Sequence, residues 1–549
     1  MKKITTFIYA LSLVVGTATA QSVYDGAKIT DKDLNGTARF VGMGGAMGAL
    51  GGDITTMGTN PAGIGIYRSH DVATSFSYSA HGMESNYEGN KFSINKNRWA
   101  FDNVGVVFAT KIGNRTPLRY VNFGFNYKRS KSFYKNMSMA GMMGIVENPL
   151  EPDAPYYVSQ TNSMALQATD AERYVWDNSR EHLDFGEAKK VLSNPNAGWL
   201  GALGYLGGLT ERDRLDNEPD LYIPFLPVEP SSAFDSREKG GISEYDFNVS
   251  FNINDRVYLG LTVGSYDVDY NKYSGYDESY DRGEGYSLES YNKMIGHGFD
   301  VKMGLILRPF EYSPFRIGLA VHTPTFYNLT YTTSAIVTND YRDFETDELK
   351  RIMVDTYDYV GDMQRDYRLV TPWKYNVSLG YTVGSSLALG AEYEYEDYST
   401  MKFKYSGNEG GGDMEFENAE VKNCLKGEHT FRIGAEYKVV PQFAFRLGYN
   451  YSSAMFKNEA VKYIPSNSLI TDTDFSNKKS QNNYTLGIGY RGKMFYADLA
   501  YQLSTYKEDF YPFYNEFELN SNEWTMVTAP ATKVTNTRSQ VLLTLGMRF

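Results

Sequence analysis

Toward the end of the chain Val541, Leu543, Leu545, Met547 and Phe549 alternate with Leu542, Thr544, Gly546 and Arg548. Side chains of a strand point to opposite faces in turn, so this stretch carries one wholly apolar face and one mixed face. The same period recurs at 72–79, 104–111, 120–128, 245–253, 257–266, 299–307, 316–323, 375–383, 387–396, 431–439, 443–451, 484–491, 495–503 and 541–549. Each segment is close to the ~9–11 residues a tilted membrane strand needs, and the fourteen segments make an even number, as in bacterial single-chain barrels. The connections alternate too. Short ones (112–119, 254–256, 308–315, 384–386, 440–442, 492–494) follow long ones (80–103, 129–244, 267–298, 324–374, 397–430, 452–483, 504–540). Outer-membrane barrels have short periplasmic turns and long outer loops, whereas a soluble sandwich has no reason to gather its long loops at one end. The pattern predicts an all-β fold, a 14-stranded antiparallel transmembrane β-barrel over residues 69–549. Its longest outer loop, 129–244, exceeds a mere connection and reads as functional, with helical periodicity over 162–192.

The start of the chain agrees with export. Lys2 and Lys3, the apolar run Ile4 to Val15 and Ala18-Thr19-Ala20 before Gln21 predict a signal peptide over 1–20. That run is too short to span a bilayer, and no later stretch approaches the roughly 18 apolar residues of a membrane helix. No cysteine follows the cleavage point, which speaks against a lipoprotein. Composition changes the picture in two ways. The 46 Tyr and 31 Phe make 15% aromatics at a negative mean hydropathy of −0.44, which fits a wall that meets lipid with alternate residues and carries interfacial girdles. Loss of Lys2 and Lys3 takes the formal charge from −12 to −14, so nucleic acid is excluded as a partner. Cys424 is the only cysteine, so there is no intrachain disulfide.

Residues 21–68 precede the first strand and are expected at or inside the periplasmic mouth as a hatch or plug. Nine glycines lie between Gly42 and Gly65, among them Gly44 and Gly45, and allow tight, irregular backbone. A phosphate-binding loop is not supported, since there is no G-x-G-x-x-G, no G-K-[ST] and no preceding strand. This glycine-rich start, Asn60-Pro61-Ala62 just before the first strand and the Phe549 ending resemble the FadL/TodX family of outer-membrane transporters for hydrophobic compounds. Thr371 to Asn376 opening a strand and the hairpin Gly434 to Tyr451 match in style. The resemblance implies a 14-stranded barrel with an N-terminal hatch to which Asn60, Pro61 and Ala62 belong. Ligand residues do not transfer, because loop 129–244 has no match.

Two features suit a hydrophobic solute, for which shielding each CH₂ from water is worth about 0.8 kcal/mol. The run Trp199, Leu200, Leu203, Tyr205, Leu206, Leu209, continuing to Phe225, is apolar yet falls in an outer loop. It reads as an exposed capture patch or as a cap packed on neighbouring loops. On inward faces, Lys302, Arg432 and Arg446 are candidates to hold a ligand carboxylate; the competing reading pairs them with Asp300, Glu392, Glu394, Glu436 and Asp498 in a structural network. His70, His81, His182, His297, His322 and His429 are scattered without metal-ligand spacing. No triad stands out, and the acidic set Asp267, Asp269, Asp277, Glu278, Asp281 and Glu284 lacks a calcium-loop pattern. No enzyme activity, cofactor or metal is expected. The sequence thus predicts a monomeric channel in the outer membrane of a Gram-negative bacterium, surrounded by lipid and delivered through the barrel-assembly machinery by Phe549. It would admit small hydrophobic molecules, or detergent in their place, such as long-chain fatty acids. Docking in a protein secretion system and haem or porphyrin binding are the alternatives.

Overall fold

The computed structural model describes residues 21–147, 155–179, 188–194, 197–213, 221–224, 230–520 and 523–549. Residues 1–20, predicted as a signal peptide, and Phe225 therefore lie outside the described residues. Fourteen strands form the wall: β1 (Asp71–Tyr87), β2 (Asn90–Lys111), β3 (Leu118–Ser132), β4 (Ser231–Ile253), β5 (Val257–Ser279), β6 (Gly285–Leu307) and β7 (Arg316–His322). They continue as β8 (Lys374–Val383), β9 (Leu387–Asp397), β10 (Gly427–Val440), β11 (Phe443–Ser452), β12 (Phe475–Arg491), β13 (Phe495–Tyr511) and β14 (Thr532–Arg548). Every neighbour pairs antiparallel, and β14 bonds both β13 and β1, from Asp71 opposite Arg548 to Asn86 opposite Lys533. The sheet is closed, which satisfies the backbone in lipid. All fourteen alternating segments fall on these strands.

The alternation holds atom by atom. Val541, Leu543 and Leu545 are exposed on the outer face, while Leu542 and Thr544 are buried inside. Aromatic side chains ring the wall at two levels. Tyr78 with Trp99 (ring centroids 4.9 Å apart) and Phe101 with Tyr127 (5.5 Å) mark one level. Phe443 with Tyr490 (5.2 Å), beside the short turns, marks the other. An apolar band between two aromatic girdles defines a membrane-spanning wall.

The strands run further than the membrane requires. β4, β5 and β6 each have 23 residues, roughly 75 Å of chain at 3.3 Å per residue, against a hydrocarbon core of about 30 Å. The expected loops 80–103 and 267–298 are therefore mostly hairpin, turning at Glu88–Gly89 and around Asp281–Gly283. Along β5 the pattern reverses phase. Leu259, Leu261 and Val263 face out at membrane level; farther up, Tyr266, Val268 and Tyr270 face in while Asp267 and Asp269 face out. The wall leaves lipid where its apolar face changes sides. The acidic set accordingly sits on this extension and its turn rather than on one loop, and Glu278 is buried.

The upper lumen is filled by the long insertion. Helices α3 (Gln160–Ser179), α4 (Ala188–Leu192) and α5 (Trp199–Leu206) pack inside the extended wall; α6 (Thr356–Val360) and α7 (Glu415–Cys424) belong to later outer connections. Close approach of α5 to α3 needs glycine: a Cβ on Gly204 would lie 2.6 Å from the Met164 Cβ. Glu278 anchors the start of α3 by accepting bonds from Ser159 Oγ (2.8 Å) and the Gln160 amide (2.9 Å). Helices α1 (Val23–Thr30) and α2 (Ala38–Gly42) lie in the lumen below. The N-terminal segment is not confined to the periplasmic mouth. From the short-turn end, where the His70 amide bonds the Phe549 carbonyl, it reaches up to pack α1 against α7. Among the described residues no helix is long and apolar enough to cross a membrane.

Candidate functional site: a plugged lumen with a split wall

The plug is fastened to the wall by buried polar contacts. Asn60 caps the turn that follows it, accepting from the Ala62 amide (3.2 Å), and donates to the carbonyls of Gly48 (2.9 Å) and Leu305 (3.3 Å). The Pro61 carbonyl accepts from Ser250 Oγ at 2.8 Å. Gly44 has φ +62, and a Cβ there would sit 2.8 Å from the Tyr449 backbone nitrogen. Only glycine gives both that conformation and that approach. Gly42 and Gly45 lie similarly close to Gly487 and to Arg432.

The cationic residues proposed from sequence all face inward, and all are in ion pairs. Lys302 Nζ lies 2.5 Å from both Glu244 and Asp246. Arg432 bonds Glu392 (2.6 Å) and Glu394 (2.7 Å), and Arg446 bonds Glu436 (2.7 Å) and Asp498 (2.6 Å). Arg39 of the plug shares Glu436 at 2.8 Å. Glu244, Asp246 and Arg39 complete a network of which the sequence reading had named the rest, Glu392, Glu394, Glu436 and Asp498 among them. The apolar run is not an exposed patch. Trp199, Leu200, Leu203 and Leu209 are buried, Tyr205 and Leu206 are partly buried, and the Trp199 indole donates to the Leu192 carbonyl (3.0 Å). These residues hold the outer cap together.

Between plug and cap lies a cavity of about 380 Å³. Tyr24, Met83, Ile94, Phe133, Met455 and Phe475 give it apolar walls. Its charges are paired internally, as in Lys131 with Asp31 (2.6 Å), Lys272 with Asp474 (2.6 Å) and Arg538 with Asp33 (3.0 Å). A large cavity of mixed lining, with nine cationic against seven acidic side chains, suits an amphiphilic solute with an anionic head.

One side of this cavity meets a split in the wall, which the sequence reading did not locate. The β2–β3 ladder ends at Asn103 opposite Lys128. Above it β2 bonds only β1, up to Asn90, while β3 and the following strand Lys135–Met142 bond only β4. The cause is a pair of bulges at one height. Asp102 is the extra residue on β2 between Phe101 and Asn103, and Ser130 the extra residue on β3 between Arg129 and Lys131. A bulge bends its strand and disrupts the ladder. Arg129 pairs with Asp102 (2.6 Å) at the foot of the split, and Asn35 of the plug donates to both the Asp102 carboxylate (2.9 Å) and the Arg129 carbonyl (3.0 Å). Across the split, the Arg98 guanidinium lies 3.5 Å from the centroid of the Tyr134 ring. Both lips line the cavity. The split starts level with the girdle formed by Trp99, 75% exposed, Phe101 and Tyr127. Its unpaired edge thus faces the polar interface, where free backbone groups cost less than in hydrocarbon.

A closed, plugged, 14-stranded barrel with a lipid-facing band is a transmembrane β-barrel. No family model and no curated protein matches the chain. Among solved structures it is similar to a FadL homologue of Pseudomonas aeruginosa (13% identity, 97% of this chain and 100% of that chain, TM-score 0.49). The toluene transporter TodX of Pseudomonas putida follows with 10% identity, 94% and 99% coverage and TM-score 0.47. For the toluene transporter TbuX of Ralstonia pickettii the values are 13%, 94%, 99% and 0.42.

Proposed function

We propose that this chain is a monomeric channel in the outer membrane of a Gram-negative bacterium, placed there through the barrel-assembly machinery with Phe549 as its signal, and that it passively admits small hydrophobic molecules. The observation that carries the reading is the cavity with one wall split at the upper girdle. A solute enters it beneath the outer cap, sheds water against Met83, Phe133 and Phe475, and leaves sideways into the membrane between β2 and β3. Asn35 joins the plug to the foot of the split, so a shift of residues 31–37 widens the route without opening the lower lumen. Asn60, Pro61 and Ala62 act as the fixed base of this hatch. The paired cations around the cavity select amphiphiles such as long-chain fatty acids over bare hydrocarbons, since a carboxylate can exchange with Asp31 or Asp33 for Lys131.

The test is native mass spectrometry of the barrel purified in mild detergent, with Met83→Trp filling the cavity. Bound fatty acid or similar lipid, lost in the variant, is the expected result. An empty barrel carrying a co-purifying protein supports secretion docking, the second reading. That reading draws on the outer hairpin, where Phe344, Leu349 and Met353 are exposed. Haem binding has less support, because His81 is the one imidazole among the described residues of the cavity wall.

A further inference from the structure

The short-turn end of the barrel carries charge of the opposite sign to the chain as a whole. The formal net charge is −12, yet Lys111, Arg308, Arg316, Lys438 and Arg491 take lumen-side positions at the strand ends beside the short turns. Among the described residues none of these five is in an ion pair, because the acids at this level are already taken. Asp255 binds Arg68, and Asp71 binds Arg548 at 2.7 Å. A little deeper, Arg446 holds Glu436 and Asp498, and Glu436 is shared with Arg39. Arg308 reaches the Asp255 carbonyl (3.3 Å) and Arg316 the Leu50 carbonyl of the plug (2.8 Å), neither of them a charged partner. Only Glu311, exposed on the turn between Arg308 and Arg316, adds a carboxylate without a cation among the described residues there.

The arrangement selects the kind of anion it fits. Outward positions on the same strand ends are apolar and exposed, Tyr437, Val439, Phe443 and Tyr490 among them, so the cations face the aqueous mouth and not the leaflet around it. They stand on four hairpins, β2–β3, β6–β7, β10–β11 and β12–β13. An inorganic anion meets one of these groups, whereas a run of carboxylates crossing the mouth meets several at once. The β6–β7 turn adds Phe310, 60% exposed, and Tyr312, 97% exposed, between Arg308 and Arg316. Guanidinium forks match carboxylates, and arginine with exposed aromatics is the composition of a protein interface. We propose that the periplasmic mouth is a docking surface for an acidic segment of a second protein, its carboxylates paired by Arg308, Arg316, Lys438 and Arg491 and its chain packed on Tyr312. A docked segment touches the hatch itself, since Arg316 also holds Leu50. The proposal rests on the short turns being periplasmic, as above, and is independent of the solute.

The test is fluorescence anisotropy of a labelled decaglutamate peptide titrated with the purified barrel in neutral detergent, with decaglutamine as control. The barrel should bind decaglutamate and not decaglutamine, triglutamate should bind far more weakly, and raising salt from ~50 to ~200 mM should weaken the complex. Arg308→Gln/Arg316→Gln and Lys438→Gln/Arg491→Gln should each weaken binding by roughly tenfold, the loss expected for two exposed ion pairs. Lys189→Gln/Lys190→Gln, exposed on the outer cap, should change nothing. Unboiled gel mobility reports that each variant still forms its barrel; if a double variant does not, Arg308→Gln or Lys438→Gln alone is read instead. Equal binding of the two peptides, binding untouched by the mouth variants, or competition by inorganic phosphate at equal charge would overturn the proposal. So would phosphatidylglycerol retained by the wild type in native mass spectrometry and lost from the variants without any peptide binding, which would make the ring a lipid site. A membrane-impermeant maleimide reacting with Ser313→Cys on intact cells, in a Cys424→Ser background, would overturn it through the placement of the turns and not through the site.

Discussion

Two parts of the same wall, a few residues apart on β2 and β3, are built on opposite terms. Below Asn103 and Lys128 the strands are paired, and plug and wall share buried ion pairs such as Arg39–Glu436–Arg446–Asp498. Above that point two bulges separate the strand backbones, and side chains alone bridge the gap: Arg98 stacks on Tyr134 and donates to Ser132 Oγ (3.5 Å), Ser85 donates to the Ser138 carbonyl (2.6 Å), and Met83 and Tyr87 pack with Met137 and Met139. The lower region resists change because removing either partner strands a buried charge. The upper one has no backbone ladder to break and is held by side-chain packing and a few side-chain hydrogen bonds. A channel that must stay sealed yet pass a solute needs both, and here the moving part is confined to the girdle.

The comparison can be broken at several points. Arg446→Leu leaves Glu436 and Asp498 buried with one fewer cation and should cost about 3–5 kcal/mol, read as a fall in the temperature at which unboiled barrel loses its compact gel mobility. Trp199→Ala should cost a similar ~3–5 kcal/mol but only in the cap. Hydrogen exchange should quicken in α3 and α5 while β10–β14 stay protected; global melting would mean that cap and wall form one unit. Asn60→Ala removes a turn cap, one bond within the plug and one plug–wall bond, for a loss of roughly 1–2 kcal/mol in barrel stability. Arg98→Ala should lower stability by no more than about 0.5–1 kcal/mol while speeding hydrophobe uptake; slower uptake would show that the guanidinium guides the solute rather than latching the gap.

The smallest effect is a pH dependence of the cap. Glu516, partly buried beside Asp170 and Glu420 on a second outer hairpin formed by Tyr514–Asn520 and Glu523–Thr528, has its carboxyl raised to about 7 by burial first and by these acids second. The folded form then holds a proton that the unfolded form releases near its ordinary ~4.5, so the contribution is present below that value and fades as pH rises to about 7. Exchange of the hairpin amides near Tyr514, corrected for intrinsic rate, should be faster at pH 8 than at pH 5. Glu516→Gln should remove the difference.

The membrane part of the wall was legible in the sequence because lipid enforces a single rule on alternate residues: Phe445, Leu447 and Tyr449 face out, Arg446 and Gly448 face in, and each short turn falls where apolar alternation stops. What was missed lies beyond lipid. On β5 the alternation did not end at Tyr266 but changed phase, with tyrosines and Val268 inward and aspartates outward. Reading a phase reversal as the membrane surface, instead of as the end of the strand, would have recovered the long hairpins. Trp199 and Leu203 looked like a surface patch because the chain-local view lacks the wall that surrounds them. The split needed two bulges at matched height, and a bulge shifts a pattern by one residue without leaving a residue type as its signature: neither Asp102 nor Ser130 is a glycine. The ascent of residues 21–35 through the lumen was equally hidden, since no local signal says how far a plug climbs.

The measurement that tests the account most directly closes the split covalently. Cysteines at Arg98 and Tyr134, bridged by a cleavable bifunctional maleimide in a Cys424→Ser background, should reduce uptake of a labelled long-chain fatty acid into vesicles to the level of empty vesicles. Cleaving the bridge should restore it, and either cysteine alone should transport at least as fast as the wild type. Undiminished uptake through the bridged barrel would contradict the account, because the solute would then be crossing somewhere other than between β2 and β3.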